Sequence, residues 1–411
     1  MKAMETLATL KKKIDDQLKK PPGDVSVIAL VDLIGVHAYV ARSSDIHIDP
    51  HADRVVVRER VDGILHDAIV VPKELQSEVV SRIKVLSGLK TDIHQAPQDG
   101  RFKVKIEGMP DVDIRVSIAP TYYGENVVMR ILADSAKNVE FASLGFSDEH
   151  QKILEKSIRK PYGMILTNGP TGSGKTTTLY TIIKKLNIRD VSIVTIEDPI
   201  EYSISGITQM PVNASAGFTF ASGLRSILRQ DPNIIMVGEI RDSETANIAV
   251  NAALTGHLVL STLHTNDAAT TFPRLTDMGT PPFLIASTLN VAIAQRLVRT
   301  VCPNCRKQRT LNIAELKSLS PLAKSLLVDK VYTVGPGCET CDGKSYKGRL
   351  GLYEVLEIND DIRSLIVGRA SATQIKQEAV KHGMKTMIED GLMKAKEGKT
   401  TIEEVLRIIY E

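Results

Sequence analysis

The stretch Gly169-Pro170-Thr171-Gly172-Ser173-Gly174-Lys175-Thr176 fills every fixed position of a Gly-x-x-x-x-Gly-Lys-Thr phosphate loop. Gly172 and Gly174 let backbone amides turn inward on phosphate oxygens without Cβ clashes, and the Lys175 ammonium can bridge the β- and γ-phosphates. The Thr176 hydroxyl is placed to ligand Mg²⁺, and Thr177 continues into a helix whose N-terminal dipole faces the anion. Flanking residues supply the elements such a loop needs. Met164-Ile165-Leu166 reads as a buried strand entering it, and Leu179, Ile182, Ile183 and Leu186 recur at i, i+3, i+4 and i+7, one apolar helix face. The stretch binds a nucleoside triphosphate.

Three stretches downstream carry acids or histidines at the ends of apolar runs, where an α/β fold gathers its site. They are Val194-Thr-Ile-Glu197-Asp198-Pro-Ile-Glu201, Ile234-Ile-Met-Val-Gly-Glu239-Ile-Arg241-Asp242, and Thr255-Gly-His257-Leu-Val-Leu-Ser-Thr-Leu-His264-Thr-Asn266. Hydrolysis needs Mg²⁺ held by a carboxylate or its waters, a group that positions the attacking water, and a sensor of the γ-phosphate. Each stretch offers a candidate for one role. No Asn-Lys-x-Asp occurs, so the guanine-specific element of small GTPases is missing and ATP is favoured.

All four cysteines fall in two C-x-x-C knuckles, Cys302-Pro-Asn-Cys305 and Cys338-Glu-Thr-Cys341. Four thiolates match a tetrahedral, structural Zn²⁺ site with no open position; a redox pair or inert thiols are the alternatives. Residues 300–350 hold few large apolar side chains, so metal is expected to replace core burial there.

The elements around these motifs alternate strand and helix from Gly145 onward, the pattern of a parallel sheet covered by helices, an α/β ATPase core. After Arg299 come the cysteine segment and then helical sequence to Glu411. Upstream, residues 21–134 read as an α+β module: a helix capped by Asp24, strands at 45–48 and 54–60, a turn at 61–64, a helix from about 72 to 86, and strands at 100–106, 111–118 and 126–132. Ser135–Leu144 is the expected linker. Residues 1–20, with six lysines and three acids around Leu7, Leu10, Ile14 and Leu18, read as a basic helix or linker that is solvated or touches a partner. Asp45, His47 and Asp49 share one strand face, either metal ligands or a polar outer surface. Arg58, Arg60, Arg101, Arg115 and Arg130 lie on strands and suggest a surface that meets anions, against the bland reading of solvated arginines.

Composition adds limits. The 411 residues, 43% hydrophobic and 25% charged, are ordinary for a globular chain of two or three domains. A net charge of +3 from 52 basic and 49 acidic residues, with 4% aromatics and no tryptophan, gives thin support for a nucleic-acid groove. No apolar run reaches membrane-spanning length and no signal peptide is evident, so a cytosolic protein that meets any membrane only through partners is expected.

The set Gly-Pro-Thr-Gly-Ser-Gly-Lys-Thr, Ile-Glu-Asp-Pro-Ile-Glu-Tyr, Leu-Arg-Gln-Asp-Pro-Asn with Gly-Glu-Ile-Arg-Asp, and Gly-His-Leu-Val-Leu-Ser-Thr-Leu-His-Thr-Asn resembles the secretion ATPase superfamily. The two cysteine pairs and Gly348-Arg-Leu-Gly-Leu-Tyr-Glu-Val-Leu356 make it similar to the type II secretion and type IV pilus assembly motors (GspE/PulE/PilB-like) from about residue 24 to the end. The resemblance implies a homo-hexamer acting on an inner-membrane platform protein. Each subunit would join a PAS-like N-terminal domain to a RecA-like P-loop ATPase domain, residues 145–411, that includes a small four-cysteine zinc subdomain. It further implies roles: Glu197 resembles the water-activating glutamate, Glu239 the Walker B acid near Mg²⁺, and His264 the reader of the γ-phosphate. Arg101, Arg115 and Arg130 resemble N-terminal arginines that reach nucleotide. Longer members carry another N-terminal domain that docks on the membrane assembly; some 20 residues stand before the module here, so docking through that domain is not implied. A retraction motor is the rival within the superfamily, and the cysteine pairs argue against it.

Overall fold

The computed structural model describes residues 6–106, 111–132, 140–310 and 331–410. Part of the expected linker (135–139) and much of the spacer between the cysteine pairs (311–330) lie outside the described residues. The chain divides into two units, Met1–Lys137 and Asn138–Glu411.

The first unit begins with α1 (Leu7–Leu18), capped by Thr6, whose Oγ1 accepts from Thr9 N at 3.2 Å. The solvated reading of this helix is corrected. Leu10 and Ile14 are fully buried, Ile14 and Leu18 join the unit's core, and only the lysine-bearing face meets water. After the Pro-Pro-Gly break comes α2 (Val27–Val40). Its cap is Ser26 rather than Asp24: the Ser26 hydroxyl accepts from Ala29 N, while Asp24 closes a short 3₁₀ turn.

Six strands follow: β1 (Ser43–Pro50), β2 (Arg54–Val61), β3 (Ile64–Pro72), β4 (Gln98–Val104), β5 (Val112–Thr121) and β6 (Gly124–Leu132), with α3 (Gln76–Leu86) between β3 and β4. All pairings are antiparallel, in the order β3-β2-β1-β6-β5-β4. The sequence reading found the turn at 61–64 but missed its return strand. Asp62 and Gly63 both have positive φ, the two-residue geometry that sends β2 back as β3. Alternation puts Ile114, Val116, Ile118, Val127 and Met129 into the core with α2 and α3. Registers place Arg60, Asp45, Arg130, Arg115 and Arg101 opposite one another on five successive strands, a single charged row across the other face.

The second unit opens with α4 (Phe141–Leu144), so the end of the expected linker is helical, and α5 (Asp148–Ile158). Its main sheet has the order β15-β12-β7-β11-β10-β8-β9: β7 (Gly163–Asn168), β8 (Ile193–Glu197), β9 (Thr208–Pro211), β10 (Ile234–Val237), β11 (Leu258–Leu263), β12 (Leu289–Val301) and β15 (Tyr346–Glu357). All neighbours are parallel except β12 and β15, which pair antiparallel. The strand β15 corrects the reading of helix alone after the cysteines. Helices α6 (Lys175–Leu186), α7 (Phe220–Ile227), α8 (Ser243–Leu254), α9 (Thr271–Asp277) and α10 (Pro282–Thr288) connect the strands. Two clusters line the sheet: Met164, Leu166 and Val259 pack with α7 and α8, while Ile165, Leu260 and Ile293 pack with α5 and α6. Burial on both faces is why β7, β10 and β11 read as unbroken apolar runs. A small ribbon, β13 (Lys307–Arg309) with β14 (Val331–Thr333), adjoins the cysteines, and α11 (Asp360–Val367), α12 (Ala372–Lys381), α13 (Met387–Lys396) and α14 (Ile402–Tyr410) end the chain. No helix among the described residues is long and apolar enough to cross a membrane.

Candidate nucleotide site and four-thiol cluster

β7 delivers the chain to the phosphate loop at the C-terminal edge of the parallel sheet, and α6 leaves it. Gly169, Gly172 and Gly174 all have positive φ (146°, 79° and 89°), a backbone that side-chain-bearing residues adopt only with strain. At Gly169 a Cβ would also lie 2.5 Å from the Gln295 carbonyl oxygen, whereas beside Gly172 the space is open. The loop is thus pressed against β12 at its start and clear at its crown, as a cradle for an anion requires. Ser173 Oγ, within this loop, is buried and has no hydrogen-bond partner among the described residues. Pro170 and Thr171 are exposed, and Thr176 and Thr177 are half-buried in the first turn of α6. The residues present therefore fit a triphosphate.

Lys175 is buried, and its Nζ donates to the carbonyls of Gly169 (2.8 Å) and Pro170 (3.0 Å). Burial pushes the amine down to about 8; the nearby Glu239 carboxylate opposes that fall and the Arg296 guanidinium adds to it. Glu239, just past β10, is buried and accepts from Arg241 Nη2 (2.5 Å) and His264 Nε2 (3.2 Å), the latter from the loop after β11. Parallel pairing of β10 and β7 on either side of β11 brings Lys175, Glu239 and His264 to one edge. His257, by contrast, is tied to the Ala252 carbonyl and closes the turn after α8, and Asp242 caps α8 through Thr245 N.

Glu197 behaves differently. It is buried at the end of β8: Oε2 accepts from the Tyr180 hydroxyl, and Oε1 accepts from Thr195 Oγ1 (2.6 Å) and Gln209 Nε2 (3.1 Å). Both oxygens bind α6 and β9 to β8, the geometry of an anchor more than of a base facing water. Glu201, four residues on, is half-buried in the loop that follows.

Arg101, Arg115 and Arg130 lie in the first unit, side by side in its charged row. Arg130 Nε donates to Asp45 at 3.0 Å, Arg60 approaches the same buried carboxylate at 3.6 Å, and Arg58 pairs with Asp49 at 2.6 Å. Asp45 and Asp49 are thus ion-pair partners, the polar outer surface of the two readings for this strand.

The four cysteines converge. Their sulfurs all lie within 4.8 Å of one another, with Cys302–Cys338 at 3.6 Å, Cys305–Cys341 at 3.8 Å and Cys338–Cys341 at 3.7 Å. A tetrahedron of thiolates about 2.3 Å from Zn²⁺ has edges of about 3.8 Å, so the donor set fits that ion.

Sequence reasoning missed the anchoring partners Tyr180, Thr195 and Gln209, because each is contributed by a separate element. It also missed Gln295, whose Nε2 donates to the Ser173 carbonyl (2.6 Å) and whose Oε1 accepts from Thr178 (2.8 Å), clasping the phosphate loop from β12. The signal available was a Gln-Arg pair inside an otherwise apolar run.

The model of the family described as Type II/IV secretion system protein matches residues 21–407. The chain is 44% identical over 395 residues to the type IV pilus assembly ATPase PilB of Myxococcus xanthus, covering 95% of this chain and 69% of that protein. It is 45% identical over 398 residues to the type II secretion system protein E of Pseudomonas aeruginosa, covering 96% and 78%. Among solved structures it is similar to the pilus retraction motor PilT with bound ADP, with a TM-score of 0.62 and 27% identity over 92% of this chain and 96% of that one.

Proposed function

Because the chain belongs to the Type II/IV secretion system protein family, we propose that it is a motor ATPase that powers assembly of type IV pili or type II secretion pseudopili at the inner membrane. The observation that carries this reading is the meeting of Lys175, Glu239 and His264 at the mouth of the phosphate loop. In the proposal the loop residues Gly169 to Thr177, through the backbone N–H groups of all but Pro170, and the Lys175 ammonium hold the β- and γ-phosphates of ATP. The Thr176 hydroxyl and Glu239 are the residues that would hold Mg²⁺, which when bound supplies positive charge to the phosphate oxygens. His264 would report whether the γ-phosphate is present, a role its link to Glu239 supports.

Within the acidic box, the burial and three hydrogen bonds of Glu197 support an anchoring role, so we move water activation to Glu201. Arg101, Arg115 and Arg130 are proposed to bind nucleotide, because a guanidinium's planar fork suits charge on the transferred phosphoryl group. The working form is a homo-hexamer bound to a platform protein at the inner membrane, with Zn²⁺ held by Cys302, Cys305, Cys338 and Cys341. The four-thiol cluster favours this reading over a retraction motor.

The test is phosphate release from ATP with Mg²⁺, with EDTA, and with a platform protein's cytoplasmic domain added, for wild type and Lys175→Ala. Mg²⁺-dependent turnover that the platform domain raises and Lys175→Ala removes is expected. Turnover that is indifferent to Lys175 would overturn the assignment.

A further inference from the structure

β12 runs alongside β7, with Ala294 opposite Asn168, so its next two residues stand beside the start of the phosphate loop. The first, Gln295, is fully engaged with Ser173 and Thr178. The second, Arg296, has a different situation. Its Nη2 donates to Asn266 Oδ1 at 3.2 Å, in the loop after β11. Since β12 and β11 flank β7 on opposite sides, this contact crosses the end of the strand that feeds the phosphate loop.

The other terminal nitrogen, Nη1, is buried and has no hydrogen-bond partner among the described residues. A buried guanidinium nitrogen without an acceptor is a costly arrangement that a native structure keeps for a reason. The guanidinium also lies close enough to Lys175 to disfavour the charge on its amine. A second cation with one unsatisfied donor, fixed at the loop mouth by a rigid strand, calls for an anion.

We propose that Arg296 is a nucleotide-binding residue whose Nη1 donates to the terminal phosphates of the bound nucleoside triphosphate, while Nη2 ties those phosphates to the Asn266 loop. The inference rests on the reading of the phosphate loop as the nucleotide site, and it adds a cation from the neighbouring strand to the loop's own lysine. It also gives the loop bearing His264 and Asn266 a direct link to occupancy, through a side chain that touches both.

Fluorescent ATP and ADP analogues titrated against the full chain, for wild type, Arg296→Ala, Arg296→Lys and Lys175→Ala, test this, together with melting curves with and without ATP. Arg296→Ala is expected to weaken triphosphate binding by about 10- to 100-fold, the worth of a hydrogen bond between charged groups. Lysine should restore only part. Without nucleotide, Arg296→Ala should melt no lower than wild type, because the change deletes an unsatisfied buried donor, while the ATP-induced rise in melting temperature shrinks. Weaker binding of both analogues puts the contact on the β-phosphate, and of the triphosphate alone on the γ-phosphate; either supports the proposal. Unchanged affinity in Arg296→Ala, with a lowered melting temperature, makes Arg296 a brace for Asn266 and overturns it. If Arg296→Ala does not fold, Arg296→Gln, which keeps a donor for Asn266, decides by the same affinities. Failure of wild type to bind, or undiminished binding by Lys175→Ala, refutes the nucleotide site itself.

Discussion

The two sheets of this protein present their chemistry in opposite ways. In the second unit the sheet is parallel except where β12 meets β15, and it is covered on both faces, so its central strands β7, β10 and β11 carry mainly apolar side chains along their length. Lys175 opens α6, and Glu239 and His264 lie in the loops after β10 and β11, all at the strand ends, where backbone amides and short polar segments are free to face a ligand. In the first unit the sheet is antiparallel, and helices fill one side. Its polar side chains stand on the strands themselves, as the row Arg60, Asp45, Arg130, Arg115 and Arg101. Covering both faces moves polar side chains to an edge; in the first unit they line the sheet face opposite the helices.

The largest expected effect breaks the edge. Glu201→Gln should leave ATP binding nearly intact and lower hydrolysis by about 10²–10⁴-fold, the range for a general acid–base group. Glu197→Gln should instead lower the melting temperature, since it disturbs the acceptor of Tyr180, Thr195 and Gln209. The reverse pattern in steady-state turnover and thermal melts would return the base to Glu197.

The face is tested next. Arg115→Ala should lower turnover by about 10²-fold, at or below the low end for arginine fingers, with lysine a poor substitute. Arg101→Ala should act in the same direction. Arg130 also holds the buried Asp45, so Arg130→Ala needs circular dichroism as a folding control. Near-normal turnover in all three would leave the first unit a spacer and the comparison without content.

Metal removal asks whether the edge needs its outlying support. Purified protein should carry about one equivalent of zinc by elemental analysis. Chelation should lower the melting temperature and open the two knuckles, Cys302–Cys305 and Cys338–Cys341, to protease, with a smaller loss of turnover than either substitution above. A zinc-free preparation of unchanged stability would remove the metal from the account.

The smallest effect concerns the outer strands of the same sheet. Glu404 is buried; burial pushes its carboxyl up, but hydrogen bonds from Arg299 on β12 and from Arg407 outweigh that and hold it down to about 2. Because the folded value lies below the ordinary one, the stabilisation is present above about pH 4.3 and is lost as pH falls toward 2. Holding the carboxyl that far below its ordinary value corresponds to about 3 kcal/mol, which Glu404→Gln should forfeit at neutral pH. Urea melts at pH 7 and pH 3 check this: the gap between wild type and variant should narrow in acid.

Much of the site was legible because its chemistry is local. A phosphate loop is eight consecutive residues whose backbone shape follows from glycine, and a strand buried on both faces announces itself as an apolar run. The two cysteine knuckles are equally local, and their paired C-x-x-C spacing is what pointed to a metal. Local pattern also named Glu239 and His264, each at the end of such a run. What the sequence could not decide is which of several similar side chains face each other. Glu197 and Glu201 are both acids on one short segment, and only the packing of α6 and β9 against β8 engages the first and leaves the second half-buried. The first helix looks solvated when its lysines are counted, yet Leu10 and Ile14 find a core that only tertiary contact supplies. The row of arginines depends on registers across five strands, set by turns and by the buried face. Arg296 is one arginine among many until β12 is laid beside β7 and its Nη1 is left without a partner among the described residues. Residue type and near spacing travel with the chain; pairing across the sheet, and the burial that makes one polar group an anchor and another a ligand, arise only when distant segments exclude water together.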